Sequence, residues 1–488
     1  MKEKSIKHNF ALNSILQIAS VLFPLISFPY VSRVLLPEGT GKVTLATAVV
    51  SYFSMFAMMG IPTYGIRVCA QVRNDKVKLS KAAHEILMLN MLIATITSGV
   101  YIVTVFLNKA MYHEKVLYFI CGSNLLLNVI GVNWLYSALE EYRYITVRSI
   151  AFKFVACIAM FALIQTKKDY IIYAAITTFA LAGSNILNFC NAQKHIITKP
   201  FRWEEYQFKR HIKPILMFFT MTIAISIYSS LDIIMLGSMA GNEAVGYYNA
   251  AIKIQTCLWM LVTALGTVLL PRMSIYFATN EMQKIQSLER KAIYCILWLA
   301  IPLVTYFMIF SAETIQVLAG DNYQEAVLPM MILLPTVVVS GIGNNFGNQI
   351  LIPSGREKWV VIATIVGAVV NGICNVVLIP VYGVSGAALA TLIAVSSVTI
   401  VEYRVVKDMS KGLFLNKNNL KIVIANILAV CVMLYLKKNL YVAGLWKIAI
   451  SFIASGAVYV FATLLFKEEM VISIWDQLVD KVQKRSAR

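Results

Sequence analysis

Apolar runs of about 20 residues, the length a helix needs to cross the hydrocarbon layer, recur along the whole chain. They centre roughly on residues 22, 53, 95, 125, 157, 179, 225, 260, 302, 338, 369, 393, 428 and 455. The pattern predicts an all-α membrane protein of about fourteen transmembrane helices, with no room left for a soluble domain. The first run follows a basic start, Met1 to Lys7, of the kind that precedes a signal peptide's apolar core. It continues through Leu36 without a small-residue cleavage site, so an uncleaved first helix is expected.

Composition agrees with that pattern. Of 488 residues, 59% are apolar and 14% charged, and mean hydropathy is +0.72. So few charges cannot cover a water-facing surface of this size. Eight cysteines stand singly in apolar runs with no CxxC pair, which supports neither a zinc site nor a disulfide framework.

The net charge of +19 invites a nucleic-acid reading, which its distribution removes. With the N-terminus inside, roughly three quarters of the Lys and Arg fall in cytoplasmic segments and about a fifth outside. Basic residues therefore report topology, with both termini cytoplasmic, and attract anionic lipid headgroups of the phospholipid membrane. A basic connection at Asn191 to Lys213 divides the chain into a first lobe at 1–211 (spans 1–6), a second at 212–408 (spans 7–12), and spans 13–14 with a tail at 409–488. The segment Arg33 to Gly41 matches Asp232 to Asn249 weakly, each an ionisable residue followed by a Gly-containing connection into a helix. Such repeats are common in transporters.

Polar side chains inside a bilayer face other helices or a wet cavity. Taken at 100° per residue, Asn249, Lys253, Thr256, Met260, Thr263 and Thr267 form one stripe on span eight. Asn13, Gln17, Ser20, Pro24 and Ser27 form another on span one. Thr44, Thr47, Ser51 and Ser54 on span two, and Thr222, Ser226 and Ser229 on span seven, offer shorter ones, and Asn345 and Asn375 add amides from spans ten and eleven. A single Ser or Thr is ordinary interhelical glue; together these residues suggest a shared hydrophilic cavity. The candidate cations are Lys253, the deepest, with Lys153, Arg33 and Arg67. Lys253 has two readings, an anion anchor or a partner of Asp232. Lys153 can snorkel to the inner face, and Arg33 and Arg67 also suit interfacial anchoring. Asp232, the carboxylate placed within a span, is the candidate for proton or sodium coupling.

No Walker sequence, Gly-rich phosphate loop, HExxH pair or catalytic triad occurs, and the five histidines lie at predicted helix ends or in loops. Neither an ATP site, a metal centre nor an enzyme is expected.

Trp134-Leu-Tyr-Ser-Ala-Leu-Glu140 followed by Tyr144-Ile-Thr-Val-Arg148 resembles the junction of spans four and five in bacterial polysaccharide transporters. So does Ile352-Pro-Ser-Gly-Arg-Glu-Lys358 with Asn375-Val-Val-Leu-Ile-Pro-Val-Tyr-Gly-Val-Ser-Gly-Ala-Ala388. Arg33 to Gly41 and Gly246-Tyr-Tyr-Asn-Ala-Ala251 add to it. The chain is similar to repeat-unit flippases (Wzx type) of the multidrug/oligosaccharidyl-lipid/polysaccharide exporter superfamily. The resemblance implies two six-helix lobes in a V-shaped arrangement, plus two C-terminal helices, alternating between inward- and outward-open states. The implied substrate is an oligosaccharide repeat unit on undecaprenyl pyrophosphate, flipped across the bacterial cytoplasmic membrane for O-antigen or capsule assembly. A polysaccharide polymerase and glycosyltransferases are the implied partners. Related lipid II flippases carry an arginine cluster in the first spans; here only Arg33 and Arg67 stand there, and those roles are not transferred to them. An ion-coupled drug/cation antiporter of the same superfamily is the nearest rival, but it would need acidic residues where this interior has Lys153 and Lys253. A membrane polymerase or glycosyltransferase would need longer external loops or a nucleotide-sugar domain.

Overall fold

The computed structural model describes residues 6–197, 201–409, 417–442 and 444–466. They form two compact units, residues 1–247 and 248–488; the halves expected from sequence divide instead at 211/212.

Unit 1 opens with α1 (Ile6–Met58), α2 (Ile61–Gln71) and α3 (Lys76–Leu107). Short helices follow: α4 (Lys109–His113), α5 (Lys115–Gly122), α6 (Asn124–Ile130) and α7 (Asn133–Ala138). Then come α8 (Tyr142–Leu163), α9 (Tyr170–Thr178), a π-helical turn at Phe179–Gly183, and α10 (Ser184–Ala192). The division into units falls within α11 (Lys209–Ala278). Unit 2 continues with α12 (Met282–Ile309), α13 (Ser311–Ala319), α14 (Val327–Leu333), α15 (Pro335–Asn344) and a second π segment at Asn345–Leu351. It ends with α16 (Glu357–Val406), α17 (Lys417–Asn439) and α18 (Leu445–Leu465).

Ten stretches among the described residues are long and apolar enough to cross a bilayer, which makes the chain an integral membrane protein. The pattern predicts fourteen; the ten take each kinked rod once and do not include α11. A straight helix of the length of α1 would be about 80 Å long, far beyond the ~30 Å hydrocarbon layer. The chain relieves this with single non-helical residues: Leu36 (φ 59°) in α1, Gly241 (φ 89°) in α11 and Gly383 (φ 54°) in α16. Two of the three are glycines, which reach this region without a Cβ penalty. At Leu36 the following Pro37 removes a backbone donor and disfavours helix in the residue before it.

The kinks at Leu36 and Gly241 are the two matching segments of the sequence repeat, and they meet inside unit 1. A Cβ on Gly41 would lie 1.8 Å from the Asn242 carbonyl oxygen, and one on Gly246 would lie 2.1 Å from that of Pro37. The two backbones therefore cross in direct contact, a spacing only glycine permits.

In unit 1, α1 packs against α3, α5, α6, α8 and α9, and α2 against α3 and α7. In unit 2, α14 and α15 pack on α16, α12 on α15 and α17, and α17 on α18.

Candidate functional site

One face of α8 lines a cleft in unit 1. Its residues 145, 149, 153, 156 and 160 recur at helical spacing, and α1, α7, α9 and α10 supply the other walls. Toward the start of α8 lies a cavity of about 330 Å³ whose lining includes Gln17, Asn133, Ser137, Arg148, Lys153 and Asn185. An adjoining cavity of about 170 Å³ shares Ser20, Lys153, Ala180 and Leu181 with it and is otherwise mostly apolar, with Phe23, Pro24, Met160 and Tyr173. The sequence stripe on span one thus falls on this cleft: Gln17 and Ser20 on its polar part, Ser20, Pro24 and Ser27 on its apolar part. The side chain of Asn13, the first of that stripe, lies outside the described residues.

Two cations line the cleft. Lys153 is half-buried and donates to Ser20 Oγ. Arg148 is 8% exposed; its guanidinium lies 5.5 Å from the Tyr144 ring centroid and reaches Ser149 Oγ at 3.5 Å. Its Nε and Nη1 are buried without an acceptor. A guanidinium has only donors and keeps its charge, so this corner holds uncompensated positive potential. Sequence reasoning quoted Arg148 within a motif and did not single it out. The signal was available: Arg148, Ser149 and Lys153 share the α8 face that opposes the polar stripe of α1.

Behind the cations runs an asparagine ladder that the sequence reading also missed. Asn188 Nδ2 donates to the Gly131 carbonyl at 2.7 Å and to Asn133 Oδ1 at 2.9 Å. Asn133 Nδ2 reaches Asn185 Oδ1 at 3.4 Å, and Asn185 Nδ2 reaches Asn128 Oδ1 at 3.3 Å. These bonds join α6 and α7 to α10 and fix the amides on the cleft wall, as interhelical amides do in membranes.

Of the other candidates in unit 1, Arg33 and Arg67 are exposed and line neither part of the cleft. Arg33 Nη1 bonds the Pro29 carbonyl one turn back. Asp232 is 7% exposed on α11. The side chains of Thr222, Ser226 and Ser229 lie outside the described residues, as does that of Thr267.

In unit 2, Asn249, Lys253 and Thr256 lie on α11 at helical spacing and are half-buried. Asn345 and Asn375 are fully buried, and Asn375 Nδ2 donates to Asn371 Oδ1 at 3.1 Å. Asn345 opens the π segment, and neither of its amide atoms has a partner. The sequence reading places Asp232 as the carboxylate within a span, and three further carboxylates are buried in helices. The helix α16 runs on to Val406 and Glu402 is 4% exposed, with its carboxylate filling the space that side chains at Gly343 and Gly347 would occupy. Glu85 and Glu289 are likewise buried within helices α3 and α12. Among the described residues no group of three or more His, Cys, Asp or Glu could hold a metal ion.

Comparison with known proteins places this geometry. The profile of a family described as "Polysaccharide biosynthesis protein" matches residues 6–277, and one described as MatE matches 217–377. A putative O-antigen transporter of Escherichia coli (strain K12) is 23% identical over 359 residues, which are 72% of this chain and 85% of that protein. One of Shigella dysenteriae is 24% identical over 387 residues, 79% of this chain and 96% of that one. Among solved structures, the lipid II flippase MurJ in an inward closed conformation superposes with a TM-score of 0.71 at 17% identity, covering 93% of this chain and 99% of that one. An inward-facing multidrug resistance MATE family transporter of the MOP superfamily gives 0.62 at 13% identity, covering 84% and 99%. At these identities the structures establish a shared fold.

Proposed function

The chain belongs to the polysaccharide biosynthesis protein family, and from that premise we propose that it is a flippase for lipid-linked oligosaccharides. It carries a repeat unit on undecaprenyl pyrophosphate from the cytoplasmic to the outer leaflet of a bacterial cytoplasmic membrane by alternating access. Both termini are cytoplasmic in this reading. Glycosyltransferases build the unit and a polymerase extends it, so bond chemistry stays with those partners.

The observation that carries the reading is the cleft of unit 1: two cations, amides and hydroxyls gathered between membrane helices. Such groups are costly in a bilayer, and an anionic, sugar-rich headgroup suits them chemically. Relatives named as O-antigen transporters support the same substrate class. The MatE match relates the chain to multidrug transporters too. A cation substrate, however, would meet Arg148 and Lys153 in this cleft rather than a carboxylate. The test is complementation: expressed in a repeat-unit-flippase-null strain supplied with its cognate repeat unit, the chain restores surface polysaccharide. Drug resistance without restored polysaccharide would favour the antiporter instead.

Within this reading Lys253, on the stripe with Asn249 and Thr256, is a second anchor for the anionic headgroup. Lys253→Gln then abolishes complementation at wild-type membrane abundance, and Lys253→Arg keeps part of it, since charge survives with altered geometry. Full activity of the double variant Lys253→Gln, Asp232→Asn would show the two residues to be a structural pair and remove the anchor role. Asp232 is assigned to proton or sodium coupling. Asp232→Asn is expected to lower gradient-driven flipping in vesicles, and unchanged ion dependence in that variant would end the assignment.

A further inference from the structure

Unit 2 buries a carboxyl group that no counter-charge meets. Glu402 lies on α16 and is 4% exposed, and its Oε2 has no hydrogen-bond partner. The surface beneath it is glycine. A Cβ on Gly347 would lie 2.6 Å from Oε1, and one on Gly343 would lie 3.2 Å from Oε2. The Thr399 hydroxyl also borders Gly343, but it donates its single hydrogen to the Val339 carbonyl at 3.1 Å. Only lone pairs remain to it.

The elements packed on α16 supply no cation. Helices α14 and α15 and the π segment at Asn345–Leu351 contain no titratable side chain. On α16 itself Tyr403 packs against the Phe346 ring at 5.8 Å, and Arg404 is exposed, as are Lys407 and Asp408 beyond it. Arg356, Glu357 and Lys358, where α16 begins, are exposed too. Helix α12, which packs on α15 and the π segment, adds Glu289, another buried carboxyl group, while its Lys284, Arg290 and Lys291 are exposed. Helix α11 meets the π segment at Gly266; its Lys253 stands about 20 Å back along the helix, and its Arg272 is exposed. An ionised Glu402 would therefore be an uncompensated charge inside a membrane helix, a state that proteins escape by neutralising the group. The π segment that it faces is a helix type found mostly at functional sites.

We propose that Glu402 is a proton-binding site. Its carboxyl group is held as the acid while α16 lies on the glycine face of α15 and the π segment. When that seam opens to water the O–H bond breaks, the carboxylate stays on α16 and the proton passes to water. Raising the pH favours the open seam, because the open form binds one proton fewer. The site is separate from Asp232, which belongs to unit 1, and its test requires no transport.

Full-length protein in nanodiscs, free of sodium, is measured by infrared spectroscopy at neutral pH. The difference between wild type and Glu402→Gln should show the carbonyl stretch of one protonated carboxylic acid. Glutamine copies the neutral acid in shape, so the variant should reach wild-type abundance. Val406→Cys, at a fully buried position one turn further along α16, reports the seam by thiol labelling. Its labelling rate, divided by the rate in the Glu402→Gln background at the same pH, should rise by up to about tenfold per pH unit, the dependence of one proton. The division cancels the titration of the thiol itself. Should Glu402→Gln not fold, Gly347→Ala reads the same group, because its Cβ displaces Oε1 and the acid band should shift. Absence of an acid band from the difference spectrum overturns the proposal, as does an unmoved band in Gly347→Ala or a labelling ratio flat with pH. Loss of the band on adding sodium overturns it too, since the group would then be an ionised ligand of that cation.

Discussion

Gly41→Leu should leave little folded protein in the membrane, and Gly246→Leu the same. Each glycine faces a backbone carbonyl rather than a flexible side chain: a Cβ would lie 1.8 Å from Asn242 O in one case and 2.1 Å from Pro37 O in the other. Neither oxygen can give way without moving its helix. Overpacking a site that can adjust its rotamers costs about 1–3 kcal/mol; this site has no rotamer to adjust, so the cost lies above that range. Because the two contacts are reciprocal, either substitution separates the same pair of kinks. Gly99→Leu is the control, since a Cβ there meets nothing within 4 Å. Fluorescence-detected size-exclusion chromatography of tagged variants reads the outcome. Monodisperse protein at wild-type abundance from both Gly41→Leu and Gly246→Leu would show that the crossing is not as tight as the geometry requires.

The helices were legible because membrane burial writes long apolar runs, and the span-one stripe because a cleft wall must keep helical period. What was not legible depended on contacts between distant residues. Asn128 and Asn133 meet Asn185 and Asn188 across more than 50 positions, and nothing local distinguishes those amides from ordinary interhelical glue. Arg148 lies six residues into α8, where a cation reads as a marker of the inner face; only the neighbouring helices show that it is enclosed. Glu402 stands among Arg404, Lys407 and Asp408, a charged cluster of the kind that ends a span. The helix nevertheless holds for another turn, and two glycines, Gly343 and Gly347, leave room for the carboxylate. The kinks at Leu36 and Gly241 appeared in the sequence as a weak repeat; their contact gives that repeat a physical meaning.

Glu85→Ala should destabilise the protein more than any other single loss of a polar side chain in unit 1. Glu85 is 0% exposed on α3 and accepts three bonds from the start of α11 and the segment before it. Gln207 N donates at 2.6 Å, Arg210 Nη2 at 2.6 Å, and His211 Nε2 lies at 2.7 Å. His211, itself 1% exposed, meets Tyr64 Oη of α2 through Nδ1 at 2.7 Å. One carboxylate therefore fastens the entry of α11 to both α2 and α3. Removing it strands a buried imidazole, a backbone N–H and a guanidinium at once, and breaking a buried pair in this way costs about 3–5 kcal/mol. Arg210 is the weaker end, because its side chain is 47% exposed and water replaces the carboxylate when it is cut away. The expected order of loss is thus Glu85→Ala first, Glu85→Gln next, since an amide oxygen still accepts one bond, and Arg210→Ala least. Thermal unfolding in detergent, with limited proteolysis of the 201–208 segment, measures both consequences. An unfolding midpoint and protease resistance equal to wild type in Glu85→Ala would mean that the network does not fasten this junction.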